Sequence, residues 1–434
     1  MKSLSVALFS LLVFAAGCQT PSSPAVAKPA SDPRPASPTA PSIPRSVYHD
    51  KLLGLLIGSA IGDAMGAPTE MWRRSDIQFD YGFVDELDDM VRTPSAEGTW
   101  QNNLPAGGTT DDTRWKALTI DFLLTQSPGT SDPVAFADFI VDRYEQRIAA
   151  LKATEGFHPK PYEDNLMKMA WLQEWALVAQ PYAANDLPAY SVALQKFYGG
   201  EMSCAGMLYS PMIGAVYPAD PNSAYQLAFD LGIFDLGYAR DMTGLVSAMT
   251  AAAFDVDATP SSIVGVNRSV DPEHYFTSRL VGRSAYRYYQ HARRIATAAR
   301  AVELDPAALP PEIPVAFQHL DALSYAQLRH AFDQLDEANQ DVAFHPAEVY
   351  LITLTAILYT DFEFTETMTF ITNYGRDNDT VAAIAGAILG AYWGAEKLPA
   401  DMSQQVLTVS RDLLGIDLEQ LAEQMTAWIY GSDR

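Results

Sequence analysis

Apolar residues recur at helical spacing from Ser46 to Ile61, and Gly54, Gly58 and Gly62 fall four apart on one face of the helix they predict. Glycine weakens a helix, so three in register predict a second backbone in close approach. The same spacing predicts helices over Thr113 to Leu124, Leu166 to Val178 and Pro346 to Tyr359. Thr380 to Tyr392 is apolar nearly all round, and Gly386, Gly390 and Gly394 are again four apart. Such a helix belongs at the centre of a bundle. No alternating run is long enough to define a sheet, and no internal repeat stands out. From about Asp257 to His345 the chain becomes more polar and contains prolines. This stretch reads as helices with long connections, an insertion lying over the core. The predicted class is all-α: a compact orthogonal helical bundle with peripheral helical additions.

The N-terminus reads differently. Met1-Lys2, the apolar run Leu4 to Phe14 and Ala15-Ala16-Gly17-Cys18 make residues 1–18 a signal peptide with a bacterial lipobox, Cys18 being the lipidated residue. Residues 19–45 are Pro, Ala and Ser with few charges, a composition that cannot bury a core and reads as a disordered tether. Residues 46–434 form the helical domain. These features predict an exported lipoprotein of the cell envelope, attached to the membrane through its lipid anchor only. Cys204 is then the one cysteine left, so no internal disulfide is expected.

Composition excludes one class of partner. The 434 residues carry 29 basic and 53 acidic side chains, a net charge of −24, which argues against a nucleic-acid partner. Most of these carboxylates are accounted for by a soluble acidic surface.

Two short acidic motifs stand apart from that surface. Thr110-Asp111-Asp112-Thr113 follows Gly107-Gly108, and Asp377-Asn378-Asp379-Thr380 follows Gly375-Arg376. Each opens a predicted helix, so helix capping explains either one alone. Together, the mirrored T-D-D and D-x-D-T elements offer hard oxygen ligands for one or two divalent cations. An EF-hand is excluded, because Thr380 runs straight into an apolar helix. A third segment, Gly62-Asp63-Ala64-Met65-Gly66-Ala67-Pro68-Thr69-Glu70, ends the first helix and places Asp63 and Glu70 on an irregular turn. Trp171 and Trp175, four apart, read as core, the seven histidines lack metal-ligand spacing, and Asp235 and Asp241 read as a solvated turn.

In that order, Gly54 to Glu70, Thr110 to Thr113 and Gly375 to Ala391 resemble the ADP-ribosylglycohydrolase family, which includes the dinitrogen-reductase-activating glycohydrolase and the ADP-ribosyl-acceptor hydrolases. The resemblance implies an all-α fold around two divalent cations, magnesium or alternatively manganese. It assigns Thr110, Asp111, Asp112, Asp377, Asp379 and Thr380 as ligands and Glu70 as the catalytic carboxylate. Gly107 and Gly108, as amide donors to a diphosphate, and Asn378 are the expected substrate contacts. The implied substrate is a small-molecule or protein-linked ADP-ribosyl group, cleaved at an N- or O-glycosidic bond. The alternative is a non-catalytic lipoprotein that binds a nucleotide or ADP-ribose with the same cage. The stretch Cys204 to Gly214 departs from the family, lacking the asparagine and arginine of its Gly-Asn-Gly segment. The ligands therefore follow the family more closely than the stretch that shapes the pocket.

Overall fold

A computed structural model describes residues 43–431, apart from 92–102, 129, 131, 154–163, 278–279, 306 and 308–310. The proposed signal peptide, Cys18 and nearly all of the tether lie outside the described residues. In chain order the elements are α1 (Arg45–Gly66), β1 (Trp72–Arg73), α2 (Arg74–Asp80), α3 (Asp111–Thr125), α4 (Pro133–Lys152) and α5 (Asp164–Ala183). Then come α6 (Leu187–Leu194), α7 (Ala205–Val216), α8 (Pro221–Leu231), α9 (Ala239–Ala253), α10 (Pro260–Ser269) and α11 (Ser284–Arg300). The chain closes with α12 (Ala322–Asp336), α13 (Pro346–Tyr359), α14 (Phe364–Tyr374), β2 (Gly375–Arg376), α15 (Asn378–Trp393), α16 (Ala400–Asp412) and α17 (Leu418–Tyr430). The fold is all-α, with one two-stranded antiparallel sheet among the described residues.

The centre is the antiparallel pair α1 and α15. A Cβ built on Gly54 would lie 2.4 Å from the Gly390 carbonyl oxygen, and one on Gly58 2.4 Å from that of Gly386. On Gly62 it would lie 2.1 Å from the Ala382 oxygen, and on Gly66 2.4 Å from Asp379 Cα. The glycine ladder predicted from sequence is thus one backbone-to-backbone seam, which continues one turn further to Gly66. Its physical cause is the missing side chain: two helices approach this closely only where both present almost none. Both helices are buried on all sides along this seam. That burial explains the composition of α1, which is long and apolar enough to span a membrane yet has 94% of its apolar eighteen-residue stretch buried inside the fold.

Polar groups inside the core are satisfied by other elements. The Lys51 ammonium donates to Ala253 O at 2.8 Å, Ala391 O at 3.0 Å and Tyr392 O at 3.1 Å. One buried cation on α1 therefore satisfies carbonyls left open at the C-terminal ends of both α9 and α15. Trp115, Trp171 and Trp175 pack as a cluster, with ring centroids 4.0 Å apart for Trp115–Trp175, as the core reading expected.

Three expectations are corrected. α1 does not end before Gly62 but runs through Gly66, so Asp63 is a fully buried helical residue rather than a turn residue. Asp235 and Asp241 are buried, not solvated. Asp235 Oδ1 accepts from Gly206 N at 2.8 Å, and Asp241 forms a wholly buried pair with Arg283 at 2.6 Å. The polar stretch before His345 is not only an overlay: Ala285, Tyr289, Ala292, Ile295 and Ala299 of α11 are buried in the same core as α13. Ile43, the first described residue, is already packed: it is buried and its carbonyl accepts from Tyr430 Oη at 2.8 Å.

Candidate metal centre

The α1–α15 seam decides where the acidic motifs meet. Because the helices are antiparallel, the C-terminal end of α1 abuts the N-terminal end of α15, with Gly66 against the backbone of Asn378 and Asp379. A short 3₁₀ turn, Ala67–Thr69, follows α1, and the chain then turns outward at Glu70. Met71 N donates to Arg376 O at 2.7 Å, and β1 pairs with β2 in the register Trp72–Arg376 and Arg73–Gly375. The turns that carry Glu70 and Asp377 are therefore bonded to each other directly. Both are strained: Met71 and Arg376, neither a glycine, sit at φ +66° and +68°. Strain of this kind persists only where the surrounding structure over-determines it, and it concentrates at functional sites.

Carboxylate oxygens of Glu70, Asp377 and Asp379 lie within 4.8 Å of one another, with Glu70 partly exposed and both aspartates buried. Asp112 joins them from the other motif, its Oδ2 accepting from Thr380 Oγ1 at 3.0 Å. Asp112 Oδ1 makes no hydrogen bond and lies 3.6 Å from Lys116 Nζ. The two motifs, more than 260 residues apart in sequence, thus form one cluster.

Capping accounts for only part of this. Thr110 caps α3 weakly, its hydroxyl accepting from Asp112 N at 3.4 Å. The stronger cap comes from Asp63 on α1, whose carboxylate accepts from Thr110 N at 2.8 Å, Thr113 N at 3.0 Å and Thr113 Oγ1 at 2.6 Å. Asp377 occupies the N-cap of α15 but makes no side-chain capping bond. The carboxylates of Asp112 and Asp377 are aimed at the cluster instead. Sequence reasoning missed Asp63 because its partners lie about fifty residues away, across the fold.

The electrostatics follow from the crowding. Burial and the neighbouring Glu70 push Asp377 up to about 8 and Asp111 up to about 7. Burial pushes Asp112 well up too, opposed by Lys116 and reinforced by Asp63. Carboxylates held together in a dry site resist ionisation unless a cation balances them. The donor set is all hard oxygen, which fits magnesium or manganese better than a softer ion. The buried, unbonded Oδ1 of Asp112 is the kind of atom such an ion would engage.

The profile of one family, described as ADP-ribosylglycohydrolase, matches residues 44–433. The chain belongs to that family. Uncharacterized protein YegU of Escherichia coli (strain K12) is 33% identical over 97 residues, 21% of this chain and 26% of that protein, so the match spans about a quarter of the curated relative. A solved structure titled ADP-ribosylglycohydrolase-related protein complex aligns with a TM-score of 0.51 at 18% identity, covering 89% of this chain and 98% of that one. At that identity the likeness is one of fold. The family and the all-α fold read from the three sequence segments both hold.

Three expected substrate contacts sit differently from the reading. Asn378 is fully buried, with Nδ2 donating to Thr69 Oγ1 at 2.9 Å and to Thr372 O at 3.4 Å. It ties the turn before Glu70 to the start of α15. Gly108 is buried and its amide is already committed to Pro105 O at 2.9 Å, so it is not open to a diphosphate. Gly107, also buried, packs on Gln405 with φ +94°. Gly107 and Gly108 shape the turn that feeds α3, and the Gly108 amide is used within that turn. The departing stretch forms α7, buried throughout, with Cys204 Sγ 3.9 Å from Asp377 Oδ2.

Arg376 has a defined role in the fold. Its Nε and Nη2 donate to the buried Glu348 carboxylate at 2.6 and 3.0 Å, and Nη2 also donates to Gln340 O at 3.0 Å. The clamp fixes the strained turn before Asp377 to α13. Nothing local in the sequence announces this pair. Lys116, by contrast, is four residues after Asp112 on α3, a spacing that puts both on one helix face.

Proposed function

We propose that the protein is a metal-dependent hydrolase that cleaves the N- or O-glycosidic bond of an ADP-ribosyl substrate through a two-metal centre. The observation that carries this reading is the convergence of Glu70, Asp112, Asp377, Asp379 and Thr380 from both ends of the chain. Family membership supplies the substrate class. Asp112, Asp377 and Asp379, with Asp111, Thr110 and Thr380, would hold the cations. When bound, a divalent pair supplies positive charge that orients the ribose hydroxyls and makes a water more acidic.

The residues of the chain do the rest. Glu70, partly exposed at the edge of the cluster, takes the proton from the attacking water as it adds to the anomeric carbon. The bond to the acceptor nitrogen or oxygen breaks as the new carbon–oxygen bond forms, and the proton taken up by Glu70 passes to the leaving acceptor. The β1–β2 pairing keeps Glu70 in register with Asp377, and Asn378 braces the turn before it. Such positioning is worth several powers of ten in rate when held to a fraction of an ångström.

The test is release of free ADP-ribose from ADP-ribosyl-arginine and ADP-ribosyl-serine model substrates, with and without magnesium. Asp112→Ala and Asp377→Ala should abolish both metal binding and turnover. Binding of ADP-ribose without product from either substrate would replace the hydrolase with a binding protein. The cellular setting belongs to the same proposal: export, lipidation at Cys18 and a tether that ends before Ile43. Metabolic labelling with an alkyne fatty acid should mark the wild type and not Cys18→Ala. Equal labelling would remove the anchor from the account.

A further inference from the structure

A cavity of about 520 Å³ lies beside the β1–β2 sheet, lined by residues of both strands and walled by α2 and α12. We propose that this cavity is a second binding site, for an oxyanion carried on a flat aromatic body: an aryl phosphate or aryl carboxylate. Its lining is unlike the rest of a chain with net charge −24. Four guanidiniums, Arg73, Arg74, Arg329 and Arg376, face it against two carboxylates, Asp333 and Asp336. Arg376 is neutralised from behind by Glu348. Arg74 pairs with Asp336 at 2.7 Å, and Arg329 with Asp333 at 3.4 Å.

Two donors remain. Arg73 is exposed, and among the described residues no ion pair or hydrogen bond engages its side chain. Arg74 Nη1 is buried and makes no hydrogen bond. A buried donor left without a partner carries a free-energy penalty that an anionic acceptor would relieve. Guanidiniums in this number match phosphate and carboxylate geometry. The remaining wall is aromatic: Phe332 and Tyr374 lie under the Arg74 guanidinium, at 5.1 and 6.0 Å, and Phe317 packs on Tyr325 at 5.7 Å. An arginine fork beside aromatic faces suits an anion attached to a ring.

The position gives the site a consequence. Arg73 lies three residues after Glu70 and pairs with Gly375 in the sheet, and Arg376 precedes Asp377. A ligand held by Arg73 therefore fixes the two strained turns that carry Glu70 and Asp377. Occupancy of the cavity should change magnesium affinity, and magnesium should change ligand affinity by the same factor. This coupling rests on the metal reading; the binding itself does not.

The experiment is calorimetric titration of the full chain, in excess chelator, with phenyl phosphate, benzoate and inorganic phosphate. Phenyl phosphate or benzoate should bind at one site, and inorganic phosphate at least ten-fold more weakly than the tighter of them. The tighter of the two decides whether the ligand is a phosphate ester or a carboxylate. Arg73→Glu, an exposed position, should weaken binding at least ten-fold while keeping the wild-type melting temperature. Asp112→Asn should leave it unchanged. No binding, equal affinity in Arg73→Glu, or loss in Asp112→Asn would overturn the site. Equal affinity for inorganic phosphate would overturn its aromatic half.

Discussion

Gly66→Ala tests how the helix seam builds the proposed metal centre. The added Cβ would sit 2.4 Å from both Cα and N of Asp379, where ordinary contact begins at 3.4 Å. The end of α15 must therefore move from α1 by about 1 Å, and Asp379 moves with it. Over-packing of this kind destabilises by about 1–3 kcal/mol. A shift of about 1 Å at a reacting centre lowers rate by on the order of a hundred-fold. Gly54→Ala is the matched control, since its Cβ would meet Gly390 O at the same 2.4 Å. It lies twelve residues away on α1, about 18 Å along the axis at ~1.5 Å per residue. The assay is thermal melting, magnesium titration and ADP-ribose release for both variants, at a temperature where both are folded. Both should lose comparable melting temperature, whereas only Gly66→Ala should lose magnesium affinity and turnover. Equal turnover in the two variants would refute the claim that the seam sets the ligand geometry.

Glu70→Gln keeps the shape and removes the proposed base. It should lower kcat by on the order of a hundred-fold or more, with little change in melting temperature because Glu70 is partly exposed, as steady-state kinetics and a melt would check. Arg376→Ala strands the buried Glu348 carboxylate and should lower stability by about 2–3 kcal/mol, below the full effect of breaking a buried pair because Arg376 is partly exposed. Adding Glu348→Gln should recover part of that loss in a denaturant titration. Asp111 and Asp377, raised to about 7 and 8, hold protons in the folded state that the unfolded chain gives up near pH 4. Their contribution to stability is full below pH 4 and is lost as pH rises through 7 to 8. In chelator, melting temperature should therefore fall across that window, and the increase produced by magnesium should grow over the same range.

What could be read from the sequence was what repeats locally. The glycines at 54, 58 and 62 and at 386, 390 and 394 stood out as small-residue stripes; the structure pairs Gly54 with Gly390 and Gly58 with Gly386, sets Gly62 on Ala382 and turns Gly394 towards Asp50. The two acidic motifs were visible as residue types, but their convergence was not, because it is set by the antiparallel sense of α1 and α15. Asp63 was misplaced because Gly62 and Gly66 looked like helix breakers. In the fold they are contact points inside the helix, and the buried carboxylate between them caps α3. Asn378 and Gly108 looked like ligand contacts, yet both donate to the protein itself. Glu348 and Arg376, twenty-eight residues apart, carried no local signal at all.

The central claim is that the two acidic motifs form one metal centre that works on an ADP-ribosyl bond. Its most direct test is ADP-ribose release by wild type and Asp379→Asn across a magnesium titration that starts from chelated protein. The account predicts saturable activation of the wild type and no activation of Asp379→Asn at any magnesium concentration. Turnover in chelator, or the same activation curve for both proteins, would contradict it.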